Sequence, residues 1–237
     1  METALNRGIG DINATLASIT NQVAALNTQT LTTDFLDNTY FIISAAINGG
    51  AMGTAISEVK HPGVFQIASS ASANSGARAI THSNSIRLSG GEKTTIIFKT
   101  PANLTGVTAV MGFCDTLDAI AWADCACIKI NGTTLTGETE SNNAGSTTGT
   151  SYTVAVDTWY RVVIEVNADA TSVSFKLYAD DSDTLLWSNT LTTNIPTAAG
   201  RELHYVITAI MASPTGTTVL LLIDYLNIQF TNSRRVV

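Results

Sequence analysis

Two neighbouring segments restrict what this chain can fold into. In WYRVVIEV (159–166) Tyr160, Val162, Ile164 and Val166 alternate with positions that include Arg161 and Glu165. In TSVSFKLYA (171–179) Val173, Phe175 and Leu177 alternate with Ser174, Lys176 and Tyr178. A period of two puts one set of side chains on one side of an extended strand and the other set on the opposite side. The linking NADA has turn composition, so the two segments are expected to form an antiparallel hairpin. In IKINGTTL (128–135) Asn131-Gly132 stands between alternating residues, a strong signal for a second hairpin.

The same pattern recurs along the chain. Further strands are expected at 38–47, 64–68, 77–81, 84–89, 93–99, 106–114, 120–130, 151–156, 183–188, 203–212 and 217–230, separated by clusters such as SSASANSGA (69–77) and ESNNAGSTTGT (140–150). Evenly spaced strands without intervening helices predict two packed antiparallel sheets. About thirteen strands in one block suit a jelly roll rather than a seven-stranded immunoglobulin sandwich. No Pro- or Gly-rich linker divides residues 34–232, which read as one domain.

The first 33 residues follow a different rule. Leu5, Ile9, Ile12, Leu16, Ile19, Val23 and Leu26 step by four and three in turn. That average of 3.5 keeps a single seam facing a partner helix. Ile at both seam positions favours trimers over dimers. Residues 1–33 are therefore expected to form a helical, coiled-coil trimerisation stem, residues 34–232 the jelly roll, and residues 233–237 a tail. Asn13, Thr15, Thr20 and Gln22 flank the seam without charge. Gly8 and Gly10 each cost about 1 kcal/mol relative to Ala and weaken the first turn.

Charge and composition exclude several roles. Charged residues make up 13% of the chain and the net charge is −7. That balance opposes binding to nucleic acid or to an anionic membrane surface, both of which need Lys and Arg. VLLLI (219–223) is the longest apolar run and reads as a strand, far short of the ~20 residues of a transmembrane helix. The start lacks a basic region followed by an apolar block, so no signal peptide is expected and synthesis is assigned to a cytoplasm. Cys114, Cys125 and Cys127 are odd in number, and Cys125 and Cys127 share a strand face; they read as buried, reduced thiols. No metal or cofactor is expected, since His61, His82 and His204 are scattered and no phosphate-binding glycine loop is present.

Catalytic chemistry finds little footing. Glycoside hydrolysis uses two carboxylates about 5–10 Å apart across a cleft. The acids outside turns are Glu92, Asp115, Asp118, Asp124, Glu165 and Asp224, and no Glu-x-Asp-x-x-Glu pattern joins them. Asp224, in a strongly apolar strand, reads as facing solvent or hydrogen-bonded at a sheet edge. DDSD (180–183) fits no calcium-loop spacing and reads as a hairpin tip. His61-Pro62 reads as an ordered turn, and no nucleophile motif gives a histidine a catalytic partner. Trp122, Trp187 and Tyr178 are candidate carbohydrate contacts if their strands turn them outward, while Trp159 is expected to pack at the base of its hairpin.

HPGVFQI (61–67), GGEKTTIIFKTP (90–101), TWYRVVIEVNADATSVSFKLY (158–178), TNIPT (193–197) and LLIDYLNIQF (221–230) together resemble the concanavalin A-like jelly-roll domains of tailed-bacteriophage fibre and decoration proteins. The resemblance covers roughly residues 34–232. It implies a non-enzymatic homotrimer on the virion surface, foremost a capsid decoration (cement) or head-fibre protein bound to the major capsid protein. Two alternatives stand beside it. One is a receptor-binding tail fibre that recognises host surface polysaccharide; the other is a polysaccharide-degrading enzyme. The same architecture serves unrelated functions, so the site has to decide.

Overall fold

The protein's structure, a computed structural model, describes residues 15–16, 28–33, 43–58, 60–80, 86–115 and 122–231. Among these residues sixteen strands form two sheets of eight, and every strand pair is antiparallel. The first sheet runs β14 (Leu185–Leu191), β13 (Val173–Ala179), β12 (Trp159–Val166), β6 (Lys93–Lys99), β16 (Val219–Thr231), β4 (His61–Ala68) and β3 (Ala51–Glu58), with β1 (Thr28–Thr33) also paired to β16. The second runs β10 (Ala144–Thr147), β9 (Thr134–Ser141), β8 (Cys125–Asn131), β7 (Val107–Cys114), β15 (His204–Met211), β5 (Ser75–Ile80) and β2 (Ile43–Ile47), with β11 (Tyr152–Thr153) paired to β9.

The period-two faces meet between the sheets. Tyr160, Val162, Ile164 and Val166 of β12 and Val173, Phe175 and Leu177 of β13 are buried, as the alternation predicts. They pack with Ile96 and Phe98 of β6 and with Met111, Phe113, Ile128, Tyr205 and Ile207 of the second sheet. Gly137 in β9 leaves the space that the Phe175 ring fills, since a Cβ there would lie 2.6 Å from the ring. Burying one Phe of this kind contributes roughly 1.5–3 kcal/mol, which makes the meeting of the two faces the main support of the sandwich.

Several local expectations shift. Thr28–Thr33, assigned to the helical stem from sequence, are a strand: Thr28 pairs with Thr231 and Thr33 with Leu226. The heptad spacing ends at Leu26, and the β-branched threonines that follow suit a strand. Of the stem itself, Thr15 and Leu16 are described, in helical conformation and exposed. Leu5, Ile9, Ile12, Ile19, Val23 and Leu26 lie outside the described residues, as do 34–42, 81–85, 116–121 and the tail 233–237. In the Asn131-Gly132 hairpin, Asn131 pairs with Thr134, so Gly132 (φ +57°) and Thr133 form the two-residue loop. A glycine first in such a loop suits a II′ turn, one residue on from an Asn-Gly-centred I′ turn. β3 and β10 also lie where no strand was expected, and of the strand expected over 84–89 the described residues 86–89 hold an isolated bridge, Ile86 to Leu203.

Candidate functional site: the outward face of the first sheet

In β6 and β12 the core-facing pair Phe98 and Tyr160 lies beside the pair Lys99 and Trp159, which points the other way. Lys99 and Trp159 therefore stand on the outward face, at the end of the sheet where β3 stops and β4 starts. The Lys99 ammonium meets Glu58 Oε2 at 3.0 Å and Asp157 Oδ1 at 2.8 Å. These two carboxylates hold Lys99 above its ordinary value despite burial, the largest contribution, which acts the other way. The Trp159 indole N–H donates to Glu58 Oε2 at 3.2 Å.

His61, at the start of β4, stacks on Trp159 with ring centroids 3.7 Å apart and planes 16° apart. Its Nδ1 lies 3.0 Å from Asp224 Oδ2 and its Nε2 lies 3.5 Å from Asp180 Oδ2. Asp224 sits where β16 slips by one residue against β6, between Ile223 opposite Phe98 and Tyr225 opposite Ile97. A residue inserted in this way is re-aimed out of the pleat, which brings a carboxylate from an apolar strand to the imidazole. Asp180 follows the end of β13, one step beyond the Tyr160–Ala179 pair, and so comes beside Trp159. Burial raises the Asp180 carboxyl above its ordinary value; the charges of Asp224 and Asp181 add to the rise, while His61 and Arg161 oppose it.

Two proton arrangements satisfy both imidazole contacts at the same net charge: an imidazolium between two carboxylates, or a neutral imidazole between Asp224 carboxylate and protonated Asp180. The imidazole occupies the space between the carboxylates, so the cluster ties β4, β13 and β16 together. It does not present an open carboxylate pair of the kind hydrolysis uses.

Beyond this cluster the register lays side chains in rows across the sheet. Tyr225, Ile97, Arg161 and Tyr178 stand opposite one another on four adjacent strands. At the usual strand spacing that row spans roughly 14 Å. Beside it run Asn227, Thr95, Val163 and Lys176, and then Gln229, Lys93, Glu165 and Ser174. All twelve are half-buried, giving a flat face of mixed aromatic, aliphatic and polar groups. The Arg161 guanidinium lies 4.6 Å from the Tyr178 ring centroid and pairs with Asp183.

The candidate carbohydrate contacts fall in three places. Tyr178 is on this face, with one side of its ring covered by Arg161. Trp187 is turned inward instead: it stands opposite Leu177, belongs to the core and donates its indole N–H to Thr150. Trp122 precedes β8 and lies on the other sheet, packed against Cys114, Cys125, Cys127, Ile80, Val110 and Val206, with Lys129 5.7 Å from its ring centroid. The three cysteines there are free and buried, and burial pushes the Cys114 and Cys125 thiols up. DDSD does form a hairpin tip, yet Asp180 and Asp183 reach back to His61 and Arg161. His61 begins a strand rather than a turn. Its partner Asp224 is 163 residues away, and no local motif marks such a pair. Among the described residues no group of three or more His, Cys, Asp or Glu could hold a metal ion, and no helix is long and apolar enough to cross a membrane.

Two eight-stranded antiparallel sheets closed over one core define a lectin-like, concanavalin-like β-sandwich. Arcelin-5, a lectin-like defense protein from Phaseolus vulgaris, shares it at a TM-score of 0.58 and 9% identity, over 86% of this chain and 98% of that one. The chain belongs to the SO2946-like C-terminal domain family, matched over residues 60–224. A protein of unknown function, SO2946 from Shewanella oneidensis MR-1, superposes with a TM-score of 0.71 at 20% identity over 89% of each chain. The CBM2 module of the evolved Dit of Lactobacillus casei BL23 phage J-1 is similar in fold, with a TM-score of 0.54 at 10% identity over 87% and 97% of the two chains. No curated protein matches the chain.

Proposed function

We propose that this protein is a non-enzymatic recognition protein on the virion of a tailed bacteriophage, an oligomeric fibre that binds host surface polysaccharide through the outward face of the first sheet. The observation that carries the binding assignment is the half-buried row Tyr225–Ile97–Arg161–Tyr178 with its polar neighbours. A flat aromatic and aliphatic strip offers sugar rings a surface to lie on, and the flanking amides and hydroxyls offer hydrogen bonds. The imidazole between Asp180 and Asp224 favours recognition over hydrolysis, the reading as a polysaccharide-degrading enzyme. The fold shared with a lectin-like protein and with a phage Dit module is consistent with this reading. A glycan array probed with the native protein and with Tyr225→Ala tests it. Binding to at least one polysaccharide that Tyr225→Ala abolishes is expected; binding indifferent to that change refutes the assignment to this face.

The heptad seam supports a second reading, a trimeric capsid decoration protein. In both readings the seam Leu5, Ile9, Ile12, Leu16, Ile19, Val23 and Leu26 joins three β-domains, so that one trimer presents three equivalent faces. Antibody labelling of intact particles separates the two: label at the tail tip supports the fibre, whereas label over the whole head, at many copies, supports decoration with the capsid protein as partner.

A further inference from the structure

Three cations stand in the rows of this face, and the protein's own carboxylates use none of them fully. Arg161 meets Asp183 through Nη2, while its buried Nε has no hydrogen-bond partner among the described residues. A carboxylate can engage a guanidinium through two parallel bonds, so Asp183 makes half of the contact that the fork offers. Asp183 lies at the hairpin tip with 78% of its side chain exposed, on a left-handed backbone (φ +52°). Exposed pairs of this kind are worth little, so a competing carboxylate can displace one. The Tyr178 ring, 4.6 Å from the guanidinium, holds the fork in place meanwhile.

Lys93 and Lys176 reach one carboxylate, Glu165, at 3.9 and 3.7 Å, too long for a hydrogen bond. Asp169, in the turn after β12, is engaged by Asn167 and Thr171 instead. Other acids gather away from the rows. Asp180 and Asp224 flank His61, Glu58 and Asp157 hold Lys99, and Glu138 and Glu140 belong to β9 of the second sheet.

We infer that the polysaccharide carries carboxylate groups, as uronic acid polymers do, and that one of them displaces Asp183 and takes both Nη2 and Nε of Arg161; the inference rests on the binding face assigned above. Lys176 stands one strand across and two residues along from Arg161, about 8 Å away between Cα atoms. Lys93 follows in the next row, so a polymer bearing carboxylates at intervals meets the three cations in turn. The chain's net charge of −7 repels a polyanion at long range, which leaves binding to these short contacts.

The test is affinity electrophoresis of the full chain, each mobility read against a polymer-free gel. The gels hold polygalacturonate, alginate or hyaluronate, the fully methyl-esterified form of each, or neutral dextran, mannan or galactan. Retardation by at least one polyuronate is expected, weaker at about 0.5 M than at about 50 mM salt and lost in its methyl ester. Arg161→Gln, with native melting behaviour confirmed, is expected to weaken it at least about tenfold. Asp183→Asn removes the internal competitor with a residue that tolerates the left-handed backbone, and is expected to strengthen binding up to about fivefold. Retardation by an ester or a neutral polymer that equals or exceeds that by every polyuronate, lost in Tyr225→Ala, overturns the carboxylate class and keeps the face. Polyuronate binding that Tyr225→Ala abolishes but Arg161→Gln and Asp183→Asn leave unchanged overturns the displacement at Arg161. Binding that survives Tyr225→Ala, or binding to no polymer of any kind, overturns the face itself.

Discussion

Replacing His61 with Ala tests whether the cluster on the outward face braces the first sheet. The change removes a hydrogen bond to a carboxylate, worth about 1.5–3 kcal/mol, and a stacked aromatic contact worth about 0.5–1.5 kcal/mol. The bond is 3.0 Å long and the rings are 3.7 Å apart, so both are close to full strength. The 3.5 Å contact to Asp180 adds little by comparison. Asp224 and Asp180 keep 15% and 13% of their side chains exposed, so water rehydrates them in part once the ring is gone. The lower half of the sum is therefore expected, about 2–3 kcal/mol. For a chain of this size that lowers Tm by roughly 4–12 °C. Calorimetry at neutral pH measures it, and a cycle with Asp224→Asn isolates the pair. Two results refute the reasoning: a variant melting within about 2 °C of the native protein, or His61→Ala and Asp224→Asn effects that add within about 0.5 kcal/mol.

Other perturbations address separate parts of the molecule. In β5 a Cβ at Gly76 would lie 1.9 Å from the Ala209 carbonyl oxygen, whereas one at Gly53 meets nothing within 4 Å. Gly76→Ala is expected to cost more than about 4 kcal/mol by urea denaturation, and Gly53→Ala to be neutral. The Glu140 carboxyl is raised, first by burial and then by the neighbouring carboxylate charges of Asp115 and Asp124. A raised carboxyl means the folded state binds the proton more tightly, so its stabilising effect is complete at low pH and is lost as pH rises through the folded value. Glu140→Gln should therefore be more stable than the native chain at pH 7, with the advantage vanishing below the ordinary glutamate value; an equal advantage at acid pH refutes it. Ile12→Asp combined with Ile19→Asp should give monomers with the β-sandwich intact, measured by light scattering and circular dichroism. A trimer that survives would assign the association to the β-domains.

What the sequence discloses follows from how well each strand alternates. β12 and β13 were legible because valine, isoleucine, phenylalanine and leucine occupy one face without interruption. In AMGTAISE of β3 one alternate set is Ala, Gly, Ala and Ser and the other mixes Met, Thr, Ile and Glu, and AGST of β10 is small throughout, so neither shows an apolar face of period two. Trp187 could not be oriented because Leu185, Leu186 and Trp187 are consecutive and apolar, and the register slips beside Tyr178. Asp224 was visible as an acid in an apolar strand, but the bulge that re-aims it depends on how β16 meets β6. The clustering of Glu58, His61, Trp159, Asp180 and Asp224 comes from five separate elements, and only the sheet order brings them together.

The pairing of β1 with β16 has a mechanical consequence. Thr28, the first residue of β1, lies at the end of the first sheet where Thr231 lies, while Trp159 and His61 stand at the other end, beside Lys99. A tether on the N-terminal side and a polymer held on the Tyr225–Ile97–Arg161–Tyr178 row would pull in opposite directions along the strand axis. Under such tension the ladder from Thr28–Thr231 to Thr33–Leu226 is sheared as a unit, with its hydrogen bonds stretched together rather than peeled open one after another.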